Sequence, residues 1–290
     1  CLWGGGTALT RIEWTEPRGA PIRAALVQGA VPQSMKWAAD QRAHTMQLYA
    51  DLMVPHLGAD VIVWPESAIP ALEANVRPYL AQMSTLANES GSSLLMGLLR
   101  RDAATGSYYN SVAAWALDQP VQWYDKRRLV PFGEFFPVPQ AVREWLRLMN
   151  LPYSDFQPGR AGPAPLRAAG ETFAPTVCYE DAYGSEQLGL VRQSSLLVNV
   201  TNDAWFGDST APHQHLDISR MRALESGRAM LRATNDGVTA LIGHDGSLLG
   251  TLPQFQPGVL TGEVQPRTGL TPYARFGNWP ILAVLWLGVA

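Results

Sequence analysis

Three reactive side chains, Glu66, Lys126 and Cys178, each stand at or just beyond the end of an apolar, β-like run. The segments are Trp64-Pro65-Glu66-Ser67, Asp125 to Glu134, and Val177-Cys178-Tyr179-Glu180-Asp181. A parallel sheet presents its functional side chains at that place, so the pattern asks for strands alternating with helices. A free thiol, with a pKa of roughly 8.5, is only a few per cent thiolate at neutral pH. A nucleophilic cysteine therefore needs a base and a stabilising cation, which Glu66 and Lys126 would supply. Taken singly, each residue has an ordinary reading: a core thiol, a helix-opening carboxylate, and a solvated face in Lys126-Arg127-Arg128. Taken together, they read as a catalytic set.

The periodicity supports an α/β layered fold. Ile22 to Gln28 and Val61 to Trp64 read as strands flanking a helix from about Ser34 to Leu57. A helix over Leu72 to Ser90 precedes a strand at Ser93 to Leu99, which pairs with Tyr108 to Leu117 across the turn Ala103 to Gly106. Further strands are predicted at Thr172 to Cys178 and Leu196 to Thr201, with a helix between them. A long helix is predicted from Pro212 to Ala233, and the segment Val238 to Gly243 turns towards a last strand near Val259 to Val264. With 47% hydrophobic and 16% charged residues, the 290-residue chain can bury the core of one large domain. A net charge of −3, with no basic block beyond Lys126 to Arg128, gives no footprint for nucleic acid.

The motifs carry a resemblance. The chain resembles the nitrilase (carbon-nitrogen hydrolase) superfamily, and within it the periplasmic part of the bacterial apolipoprotein N-acyltransferase family. The resemblance rests on Ala25 to Gly29 with Pro32 to Trp37, Trp64 to Pro70, Tyr124 to Pro137, Val177 to Asp181, and Asn199 to Gly207. It implies an α-β-β-α sandwich over residues 20–265. It also implies that 1–19 close a membrane segment and linker, and that 266–290 form a linker and the start of a C-terminal transmembrane helix. The last apolar stretch, Trp279 to Ala290, is shorter than the roughly 20 residues a spanning helix needs.

The resemblance further implies a bacterial inner-membrane acyltransferase whose catalytic part faces the periplasm. Its donor would be a membrane phospholipid and its acceptor a diacylated apolipoprotein, with no cofactor and no metal, and the chain is expected to act as a monomer. Glu66 would be the base, Lys126 the oxyanion-stabilising cation and Cys178 the nucleophile. Glu134 matches a second essential glutamate that holds Lys126 or the base in place, while Tyr179 and Glu180 match residues shaping the pocket beside the thiol. Trp37 matches a tryptophan near the acyl or lipoprotein site.

The stretch from Val130 to Gly159 is long for a connector and carries Phe135, Phe136 and Trp145. Its spacing fits an interfacial lid or a short helix packed on the core, and a lipid substrate favours the lid. Two other readings stay open: a soluble nitrilase-type amidase using the same three residues, and a non-catalytic lipid- or protein-binding module. The aromatic stretch and the apolar ends argue against the amidase, and the complete set Glu66, Lys126, Cys178 and Glu134 argues against the module. His213-Gln214-His215, the one close histidine pair, points two ways on a helix and makes a poor metal site.

Overall fold

The computed structural model describes residues 12–36, 40–135, 138 and 156–289. Twelve of its strands form two sheets of six. The first has the order β13-β2-β3-β4-β5-β6, with β2 Ile22–Gln28, β3 Val61–Trp64, β4 Ser93–Arg101, β5 Tyr108–Trp115, β6 Gln122–Asp125 and β13 Gly258–Val264. The second has the order β12-β11-β10-β9-β8-β7, with β7 Leu166–Ala168, β8 Glu171–Val177, β9 Leu196–Thr201, β10 Met230–Thr234, β11 Ala240–Ile242 and β12 Leu248–Thr251. A separate ribbon pairs β1 Thr15–Pro17 with β14 Arg267–Gly269.

Strand periodicity explains the layering, because successive side chains point to opposite faces. Ala25, Val27, Ile62, Trp64, Leu94 and Met96 pack with Tyr49, Met53, Leu80 and Met83 from the helices Arg42–Met53 and Glu73–Glu89. Their neighbours Ala24, Leu26, Val61, Val63 and Leu95 turn the other way, onto Phe173, Val177, Val198 and Val200 of the second sheet. That sheet is covered on its outer side by the helices Gly184–Val191 and Ala211–Ser226, which contribute Leu188, Leu190 and Val191, and Leu216 and Ala223, to buried positions. The result is the α-β-β-α sandwich that the motifs imply.

Several predicted elements differ in extent. The helix expected from Ser34 to Leu57 is a short helix Gln33–Lys36 and a second one at Arg42–Met53, which runs into a 3-10 turn at Val54–His56. The helix expected from Pro212 to Ala233 ends at Ser226, where Gly227 takes the left-handed conformation with φ 64° and frees Met230–Thr234 to become β10. That strand pairs in parallel with β9. The short strands β7, β12 and β14, of three or four residues each, carry too little alternation to be read from sequence.

Candidate active site

The two sheets bring three reactive residues together, two of them after parallel-paired strands and one after an antiparallel edge strand. Glu66 follows β3, Lys126 follows β6 and Cys178 follows β8. Two glycines let the backbone close in. A Cβ on Gly97 of β4 would stand 2.4 Å from the Pro65 carbonyl oxygen and 2.6 Å from Glu66 Cα, and one on Gly159 would stand 2.2 Å from the Asp125 carbonyl oxygen. Ser67 and Cys178, with φ 47° and 55°, hold left-handed backbone that L residues adopt at a cost of about 1–3 kcal/mol. Both lie in the turns that aim a site residue.

Around Lys126 the carboxylates converge. Its Nζ donates to Glu134 Oε1 at 2.9 Å and lies 3.6 Å from Glu66 Oε1. Asn110 of β5 ties the same two carboxylates together, donating to Glu66 Oε1 at 2.7 Å and to Glu134 Oε1 at 2.9 Å. The other Glu134 oxygen accepts from the Val130 N–H at 2.9 Å, so this side chain is fixed at both ends. Burial opposes the Lys126 ammonium, but Glu66, Glu134 and Cys178 outweigh it and raise its pKa above the ordinary lysine range. Lys126 therefore stays a cation.

Cys178 is a free, partly buried cysteine that opens the 3-10 turn Cys178–Ala182. Burial, then the charge of Glu66, push its thiol up to about 12, while Lys126 pulls it back. At rest the sulfur is a neutral thiol that must lose its proton as it reacts. Its carbonyl accepts from Asn199 Nδ2 at 3.0 Å. The Tyr179 ring lies 5.7 Å from Lys126 Nζ, and its hydroxyl donates to the Leu129 carbonyl at 2.9 Å.

Glu180 is fully buried and accepts from the N–H groups of Val177, Arg127 and Arg128 and from the Tyr124 hydroxyl. It clamps the cysteine turn to the lysine loop. Burial nonetheless raises its pKa above the usual carboxylate range.

Two residues to which the motifs assign no role enter the site. Asn110 is a buried amide that, with the neighbouring Ser111, interrupts a strand of aromatic and aliphatic residues, which is the signal that could have singled it out. Lys36 is also buried, and its Nζ donates to the Glu66 carbonyl at 3.2 Å. Burial lowers its pKa to about 8, against the pull of Glu66. Phe135 is partly buried and packs against Leu99, Leu129 and Phe156. Trp37, Phe136 and Trp145 lie outside the described residues. Among the described residues no group of histidine, cysteine, aspartate and glutamate side chains could hold a metal ion.

A protein-family model described as carbon-nitrogen hydrolase matches residues 23–273. An apolipoprotein N-acyltransferase of Methylococcus capsulatus is 43% identical over 97% of this chain and 55% of its own length. That of Azotobacter vinelandii is 45% identical over 99% of this chain and 57% of its own. The chain thus spans little more than half the length of these curated relatives. Among solved structures, a CN-hydrolase superfamily protein from Xanthomonas campestris superposes with a TM-score of 0.64 at 19% identity, covering 90% of this chain and 96% of that one. An amidase from Nesterenkonia gives 0.61 at 20% identity, covering 86% and 92%. At such identities the two structures bear on the fold. The family match spans most of the chain and contains every residue of the Glu66, Lys126, Glu134 and Cys178 cluster, so this chain belongs to the carbon-nitrogen hydrolase family.

Proposed function

We propose that the site performs the N-acyl transfer of lipoprotein maturation. It would move an acyl chain from a membrane phospholipid, through a thioester on Cys178, to the α-amino group of an apolipoprotein's N-terminal diacylglyceryl-cysteine. The observation that carries this reading is the similarity to acyltransferases of that name along nearly the whole chain, joined to a thiol, a base and a cation gathered at one point.

With its thiol pushed up to about 12, Cys178 needs a base in the attacking step itself. Glu66 takes the thiol proton as sulfur attacks the ester carbonyl, and Lys126 and the Tyr179 N–H receive the charge that develops on the carbonyl oxygen. The C–O bond breaks, and the lysophospholipid leaves with the proton held by Glu66. In the second half, Glu66 accepts a proton from the acceptor's amine as nitrogen attacks the thioester. The C–S bond then breaks, the sulfur recovers a proton, and an amide remains. Glu134 holds Lys126 directly, and Glu66 through Asn110.

A bacterial inner-membrane location, with this part facing the periplasm, fits the exposed apolar helix Trp279–Val289, although no helix among the described residues is long and apolar enough to cross a membrane. Mass spectrometry after exposure to phospholipid vesicles tests the reading. A hydroxylamine-labile acyl adduct is expected on Cys178, lost in Cys178→Ala and retained in Cys1→Ala. An adduct that survives Cys178→Ala overturns the assignment. Ammonia release from simple amides, with no acylated peptide, would favour an amidase instead.

A further inference from the structure

A second cluster of charges sits beneath the thiol turn, and the acyl-transfer steps leave it unused. Asp181 belongs to the Cys178–Ala182 turn, Asp203 to the 3-10 turn Asp203–Phe206 after β9, His215 to the helix Ala211–Ser226, and Arg232 to β10. All four are buried. His215 bridges the two carboxylates, with Nδ1 2.9 Å from Asp203 Oδ1 and Nε2 3.1 Å from Asp181 Oδ1. Arg232 donates to Asp203 Oδ2 at 2.9 Å and lies 3.6 Å from Asp181. The Ser219 hydroxyl, on the same helix as His215, donates to Asp181 and accepts from Arg232.

Two arms run from this cluster to the nucleophile. Arg232 holds Asn199 Oδ1 at 2.7 Å, and Asn199 in turn donates to the Cys178 carbonyl at 3.0 Å. Thr201 has its hydroxyl 3.3 Å from Asp203 Oδ1 and also hydrogen-bonds the Cys178 thiol group. Both ring nitrogens of His215 face carboxylate oxygens, an arrangement that only the imidazolium satisfies, since a neutral ring has a single N–H. Two carboxylates, one guanidinium and one imidazolium sum to zero.

We propose that Asp181, Asp203, His215 and Arg232 are positioning residues for Cys178, clamping its turn through Asn199 and Thr201 and, being neutral only while His215 is protonated, setting the charge its sulfur experiences. Burial and Arg232 act against the imidazolium, but the two aspartates outweigh them and raise His215 to about 9. Asp203 by itself pushes the Cys178 thiol upward. When His215 loses its proton, one buried negative charge stands uncompensated near the sulfur, and the thiolate becomes harder to form. A network that merely braced the fold would be indifferent to the sign of the charge removed.

The proposal rests on Cys178 being the nucleophile. Its test reads thiol chemistry without acyl transfer, so failure here and failure of the acyl-transfer reading are separate results. The full chain is alkylated with iodoacetamide from pH 6.5 to 10.5, and the rate is followed by mass spectrometry on the peptide containing Cys178. His215→Gln leaves the cluster negative and should slow alkylation at pH 7.5 about tenfold, one pKa unit. Adding Asp203→Asn restores neutrality and should return the rate to within about threefold of the parent, since the charge penalty is removed. In the parent, log rate against pH should flatten near pH 9. A double variant no faster than His215→Gln overturns the proposal. If the variants fail to fold, the parent's profile decides alone, and a plot that rises without a break through pH 9 overturns it equally.

Discussion

At the scale of single residues, the two glutamates on Lys126 differ in how much freedom their hydrogen bonds leave. Glu134 has one oxygen on Lys126 and Asn110 and the other on the Val130 N–H, whereas among the described residues the side-chain hydrogen bond of Glu66 engages Oε1 alone. A base must release and accept protons, and an orienting group must stay put. Glu66→Gln should therefore slow single-turnover thioester formation by about 10²- to 10⁴-fold, the usual contribution of a positioned base. Glu134→Gln keeps the shape and can still accept from Lys126, so it should leave measurable acyl-enzyme. A fluorescent phospholipid read by thioester yield separates them, and the reverse order would exchange the two roles. Glu66, Lys126 and Cys178 are legible in sequence because each ends or follows an apolar, β-like run, whereas Glu134 is legible only through the family resemblance of Tyr124 to Pro137. Asn110 stands inside a strand, and although Thr201 and Asp203 end and follow one, nothing in their local sequence shows what they touch. Their roles depend on partners that other elements bring to them, Glu66 and Glu134 for Asn110 and His215 and Arg232 for Asp203.

At the scale of elements, the site depends on how closely β4 approaches the turn after β3. The Gly97 carbonyl accepts from the Ala68 N–H at 3.1 Å, and the missing side chain leaves room for Pro65 and Glu66. Gly97→Ala places a methyl group against backbone that has no flexible end to move. We expect a stability loss of about 1–3 kcal/mol, as for other overpacked interiors, with acylation reduced more steeply than binding of substrate. Denaturant unfolding and single-turnover acylation measure the two effects, and an unchanged acylation rate would detach Gly97 from the placement of Glu66. Periodicity reveals β2, β3, β4, β5, β8 and β9 nearly to the residue. It misses β10, because Met230 to Thr234 continues the apolar pattern of the preceding helix and only Gly227 marks the change of direction.

At the scale of the whole molecule, the paired sheets leave the helix Trp279–Val289 outside the core, with Trp279, Trp286 and Leu287 each more than three-quarters exposed. Such an apolar surface has its natural complement in a lipid interface. Trp286→Ser together with Leu287→Ser should weaken partition onto phospholipid vesicles about a hundredfold or more, given about 1.5–3 kcal/mol for each large apolar side chain withdrawn from water. Iodoacetamide labelling of Cys178 should be unchanged. Vesicle flotation measures the first effect, and equal partition of parent and variant would remove this helix from the membrane contact. The two-sheet architecture itself is only half legible. Alternation marks the long strands and their faces, but the order in which the sheets are assembled rests on short edge strands and on pairings between distant parts of the chain.

The ribbon of Thr15–Pro17 against Arg267–Gly269 joins two segments separated by nearly the entire folded unit. Everything between them is a closed excursion that begins and ends at one place. A polypeptide can therefore host this catalytic unit as a cassette, opening between neighbouring positions and resuming beside its point of departure. Exchange of the unit between host chains then demands little geometric accommodation from the host.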